Sequence, residues 1–117
     1  MKELDKSLSV VVKACDDKKA LDIKVLDISK LTSIADYFVI VSGNSSSQTM
    51  AIADEVEDKM REEGFEEVSK EGYQSARWIL MDYGNIIVHI FHREEREFYN
   101  LERLWADSEE LTLDNIL

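Results

Sequence analysis

Five consecutive apolar residues, Tyr37 to Val41, run without a polar interruption into Ser42-Gly43. A run this short, β-branched and closed by a turn residue suits a strand buried on both faces, not a helix. Such a strand must lie inside a sheet with other elements packed on it. The neighbouring segments supply them. Leu4, Leu8, Val11, Val12 and Cys15 recur at helical spacing and form one apolar face. Asp22 to Ile28 is β-branched and half-alternating, a second strand. Asn44 to Ser47 opens a second helix: Ser45 and Gln48 have capping-box spacing, and Gly64 is a natural stop. Ala53, Val56 and Met60 are its core side, while Asp54, Glu55, Asp58 and Glu62 are its water side.

Further on, Arg77–Met81 and Ile86–Phe91 flank Asp82-Tyr83-Gly84-Asn85, which reads as a β-hairpin. A last helix places Phe98, Leu101, Leu104 and Trp105 on one side. The predicted architecture is α/β, a mixed central β-sheet flanked by helices, formed by a single domain over residues 1–107. Residues 108–117 are read as a polar, partly mobile tail.

Composition narrows the function. With 25 acidic and 14 basic side chains the formal net charge is −11, which opposes non-specific DNA binding and anionic membranes alike. One cysteine allows no internal disulfide, and the N-terminus carries only a three-residue apolar run, so a cytoplasmic location is expected.

Candidate chemistry is sparse. The turn Gly43-Asn44-Ser45 could cradle a phosphate, but it has no accompanying lysine or fingerprint glycines, and a turn before a capped helix is the better reading. His89 and His92 fall on opposite faces of a strand and cannot share an ion as helical neighbours would. Cys15 sits on a core stripe, where a thiol is usually inert. Between Asp54 and Glu71 nine acids face three bases, read as a solvated helix face ahead of a docking surface. No catalytic residue, cofactor or metal ligand is assigned. The informative segment is Glu71–Phe91. Alternation puts Trp78, Leu80 and Asp82 on one strand face, with Tyr83 following in the turn. Aromatic anchors beside a few charges are what interface hot spots use. Periodicity leaves Trp78 equally consistent with a core position.

The strings LTSIADYFVIVSGNSSSQTMAIADEVE, EGYQSARWILMDYGNIIVHIF and REFYNLERLWAD resemble the ribosomal silencing factor (RsfS, or Iojap-like) family, over about Asp22 to Asp107. That resemblance implies a nucleotidyltransferase-like topology without the catalytic residues: the acids after the turn, Asp54 and Glu55, fall on a helix. It also implies binding to the large ribosomal subunit through its protein fourteen, blocking subunit joining when nutrients are short. Carried over by motif, the partner-binding residues are Trp78, Leu80, Asp82 and Tyr83, with Glu71 at the rim. A homodimer is expected for the free protein. The alternative is a nucleotide-binding or nucleotidyl-transferring enzyme using the Gly43–Ser45 turn.

Overall fold

A computed structural model describes residues 6–113 and residue 116. Leu4, placed above on the first helix, lies outside the described residues, as does the side chain of Phe98. Helix α1 (Lys6–Asp17) leads to β1 (Leu21–Asp27) and β2 (Tyr37–Gly43), then α2 (Ser46–Glu62). Three strands follow, β3 (Ser69–Glu71), β4 (Trp78–Asp82) and β5 (Ile86–His92). The short helices α3 (Arg93–Tyr99) and α4 (Leu101–Leu104) and the strand β6 (Glu109–Leu111) follow, the last elements among the described residues. The six strands form one sheet in the order β3-β4-β5-β2-β1-β6. Only β2 and β5 run parallel, and every other neighbouring pair is antiparallel. The mixed sheet expected from sequence is therefore present.

Every residue of β2 is buried, which is what its unbroken apolar run required. One sheet face is covered by α1 and α2. Leu8, Val11, Val12 and Cys15 meet Ile52, Ala53, Val56 and Met60 over Val25, Val39, Val41, Ile79, Met81, Val88 and Ile90. Cys15 lies inside this core, and burial pushes its thiol up to about 12, so it is unreactive at neutral pH. The local signals that start and stop α2 act as read. Ser45 Oγ accepts from Gln48 N at 3.1 Å, and Gln48 Oε1 accepts from Asn44 N at 2.7 Å. At the other end Gly64, at φ +84°, lets Phe65 N reach Met60 O and Gly64 N reach Arg61 O, a Schellman closure.

Two sequence expectations are corrected here. The last helix is not continuous: Asn100 at φ 44° breaks it into α3 and α4, since a left-handed residue ends one helix and redirects the chain. The stretch after Asp107 is not simply a loose tail. Glu109–Leu111 pairs with Asp27–Val25, and Ile116 is buried in the main core, its carbonyl accepting from Ser9 Oγ at 3.2 Å. Its leucines are too widely spaced to announce a strand, because a three-residue edge strand carries almost no period.

Candidate interaction surface

The second sheet face is only half covered. Leu101 and Trp105, from the α4 region, pack on Leu26, Ile28, Ala35, Phe38 and Ile40. Arg96 of α3, itself buried, donates to Ser42 Oγ at 2.9 Å. Helices α3 and α4 thus lie over the β1–β2 side. Over the β3–β4–β5 side of the same face α3 reaches as far as Tyr99, whose ring meets Trp78 and Phe91; His89 and Phe91 are buried there, while Leu80, Asp82 and Ile87 stay half-exposed.

Register decides what that open half presents, because directly paired residues share a face. Glu71 pairs with Leu80 and Leu80 with His89; Ser69 pairs with Asp82 and Asp82 with Ile87; Trp78 pairs with Phe91. Glu71, Trp78, Leu80 and Asp82 are therefore brought to one surface, joined by Ile87. Trp78, Leu80, Asp82 and Ile87 are half-buried and Glu71 is exposed. Tyr99, 46% exposed, and Leu104, 76% exposed, extend the apolar margin from α3 and α4.

Tyr83 does not join them. It is 8% exposed and packs in the helix-side core, because the next residue after Asp82 turns to the opposite face. The grouping of Tyr83 with Trp78, Leu80 and Asp82 is corrected accordingly. Ile87, which sequence reading passed over, belongs to the surface. Its signal was the hairpin register, which the loop length alone does not fix.

Trp78 is a packing element as well as a surface residue. Its ring stacks on Phe91 with centroids 4.8 Å apart and leans on Tyr99, also at 4.8 Å. Its Nε1 donates to His89 Nδ1 at 3.1 Å, and His89 lies edge-on to Phe38 at 4.7 Å. A pivot at Arg77 holds this cluster: its guanidinium donates to Glu95 at 2.6 Å and Glu94 at 3.0 Å, clamping α3 to the start of β4. Asp82 has a local duty, since Oδ1 accepts from Gly84 N at 2.7 Å and fixes the hairpin turn. The turn between β3 and β4 is equally constrained, because Gly72 sits at φ +78° where a Cβ would lie 2.1 Å from Trp78 O.

Accepting from Trp78, His89 must carry its own proton on Nε2, and that atom is buried with no partner among the described residues. Burial lowers its pKa from 6.5 to about 4. The unfolded chain binds this proton more readily than the folded one, so stability is full above pH 6.5 and drains away as pH falls towards 4. The loss expected from this group is about 3 kcal/mol. Urea midpoints at pH 7.5 and pH 4.5 should show it in the parent and much less of it in His89→Gln, which keeps an acceptor for Trp78.

The acidic stretch of α2 consumes its own bases. Lys70 pairs with Glu57 and lies 4.7 Å over the Tyr73 ring; Arg61 reaches Asp58 at 2.7 Å; Lys59 reaches Glu62 at 3.6 Å. Tyr73 donates to Asp54 at 2.8 Å. What remains is a negative surface, and among the described residues no three of its acids converge as metal ligands.

The Gly43-Asn44-Ser45 turn borders a cleft of about 640 Å³ at the C-terminal ends of β2 and β5. Its acids are Asp22 from β1 with Glu94 and Glu97 from α3, and Glu94 is taken by Arg77. Among the described residues no three His, Cys, Asp or Glu side chains converge as metal ligands. Asp54 and Glu55 both lie on α2, as their positions implied.

A family model described as "Ribosomal silencing factor during starvation" (RsfS) matches residues 1–117. The chain belongs to the RsfS family. The match extends past the limits of Asp22 and Asp107 drawn from motifs, taking in α1 and the C-terminal segment. "Ribosomal silencing factor RsfS" of Bacillus subtilis is 47% identical over 107 residues, 92% of this chain and 91% of that protein. Its counterpart in Halalkalibacterium halodurans is 44% identical over 110 residues, covering 94% of each. A crystal structure of a protein from Chromobacterium violaceum superposes with a TM-score of 0.86 at 35% identity, covering 90% of this chain and 88% of that one. In this chain the fold is a mixed six-stranded sheet with α1 and α2 on one face and α3 and α4 over part of the other.

Proposed function

We propose that this chain represses translation by docking its open β3–β4–β5 face on the large ribosomal subunit, at protein fourteen, where it blocks joining of the small subunit under nutrient limitation. The observation that carries this reading is the half-covered sheet face. Trp78, Leu80 and Ile87 give an apolar centre, and Glu71 and Asp82 give a negative rim, against a basic ribosomal partner. A soluble domain seldom leaves such a patch without a use. Family membership supplies the ribosome. The mechanism is occupancy: a bound large subunit is withdrawn from joining by mass action, without turnover, cofactor or metal. The setting is the cytoplasm. Free protein forms a homodimer that shields the same apolar face, so its dimer and subunit complexes compete; light scattering across a dilution series should show dissociation to monomer.

Co-sedimentation tests the reading: the protein travels with isolated large subunits and not with small ones. Migration with both, or with neither, defeats it. A chain of net charge −11 is also steered electrostatically, so the association rate should fall several-fold between about 50 and 200 mM salt while dissociation changes little. Stopped-flow binding at graded ionic strength measures this.

A further inference from the structure

Round the β3 edge from the docking face lies a pocket of about 490 Å³ on the helix side, lined by Glu57, Arg61, Phe65, Glu66, Glu67 and Tyr83. Two polar atoms in it have no hydrogen-bond partner among the described residues: Glu67 Oε1 and the hydroxyl of Tyr83. Tyr83 is 8% exposed, so its hydroxyl is held away from water, and no partner for it lies among the described residues. An unpaired buried polar group is costly and rare, and two together at the wall of an acidic pocket point to an absent donor. The local cations do not fill the role. Arg61 is engaged with Asp58 at 2.7 Å and Glu57 at 3.8 Å, and Lys70 is engaged with Glu57.

We propose that this pocket receives one primary ammonium group, a lysine side chain of the partner docked on the β3–β4–β5 face. An ammonium carries three N–H donors spread about a point, matching the Glu67 carboxylate, the Tyr83 hydroxyl and a rim carboxylate from Glu66. The planar fork of a guanidinium suits a single bidentate carboxylate better. A divalent cation lacks its ligands, since no three acidic or histidine side chains converge among the described residues. Both acceptor atoms are shielded from solvent, so entry requires Glu67 to change rotamer. That is a small movement for a half-buried side chain on the loop before β3. Continuity with the docking face identifies the donor as the partner. Val68, 70% exposed, stands at the edge between Glu67 and Ser69, and Ser69 shares the open face with Asp82.

The inference rests on the docking reading, and the experiment separates the two. Glu67→Gln and Tyr83→Phe each delete one acceptor while keeping shape, and affinity for purified large subunits is measured beside melting and an n-butylammonium titration followed by NMR. Each variant is expected to melt at or above the parent's temperature and to bind subunits about tenfold more weakly. The double variant should be little worse than either single one, because both act on one ligand. Parent-like affinity in both variants, with Leu80→Asp unable to bind, overturns the lysine site and leaves the docking surface standing. Binding by all three defeats the docking surface itself. Variants that melt lower mean the two atoms are already satisfied in the fold, which also overturns the site. Butylammonium binding lost in the variants without any change in subunit affinity assigns the pocket to free amines, and the partner lysine is then wrong.

Discussion

Trp78→Ala is expected to do two things at once: lower stability by about 2–3 kcal/mol and weaken large-subunit binding at least about 30-fold. The two effects share a cause. Trp78 is half-buried, stacked on Phe91, tilted against Tyr99 and bonded to His89, so truncation empties one side of the aromatic cluster that shapes the proposed docking face. A fully buried tryptophan would cost more, and a purely exposed anchor almost nothing. Trp78→Phe separates the contributions, since it retains the stack on Phe91 and loses only the indole donor and part of the area. It should recover most of the melting temperature and part of the binding. Thermal melts beside subunit titrations read both.

Leu80→Asp should abolish binding with little change in melting. Leu80 is half-buried, no helix covers it, and it pairs with exposed Glu71 on one side and with His89 on the other. A carboxylate at the centre of a dehydrated apolar contact is left unpaired, which costs several kcal/mol on docking and little in the free protein. Asp82 needs a gentler probe. Asp82→Lys would break the bond to Gly84 N that fixes the hairpin turn, so lost binding could reflect a loosened loop. Asp82→Asn keeps an acceptor for that amide and removes the charge. It should leave the melt unchanged and lower the association rate at low salt.

The parts of the fold that are legible in the sequence are those governed by strong local rules. The unbroken run from Tyr37 to Val41 marks the buried central strand, Ser45 with Gln48 marks a helix start, and Gly64 marks its end. The hairpin from Trp78 to His92 follows from alternation and a glycine turn. What was not legible depends on tertiary neighbours. Asn100 breaks the last helix through a backbone angle that asparagine merely tolerates, and β6 exists because β1 offers it an edge. The site divides along the same line. Alternation groups Trp78, Leu80 and Asp82 correctly because they lie on one strand. Tyr83 was grouped with the wrong face because a residue in a turn has no face until its loop is built. Ile87 was not placed on that face because cross-strand partners are set by register, which apolar patterning leaves open by a residue or two.

Subunit joining, followed by stopped-flow light scattering of purified large and small subunits, tests the central claim most directly. Prior addition of the protein should suppress the joining signal in proportion to the fraction of large subunits occupied. Raising the small-subunit concentration should restore the signal, because the two compete for one surface. Leu80→Asp should leave joining untouched. A parent protein that saturates large subunits while joining proceeds at its full rate and extent would contradict the account.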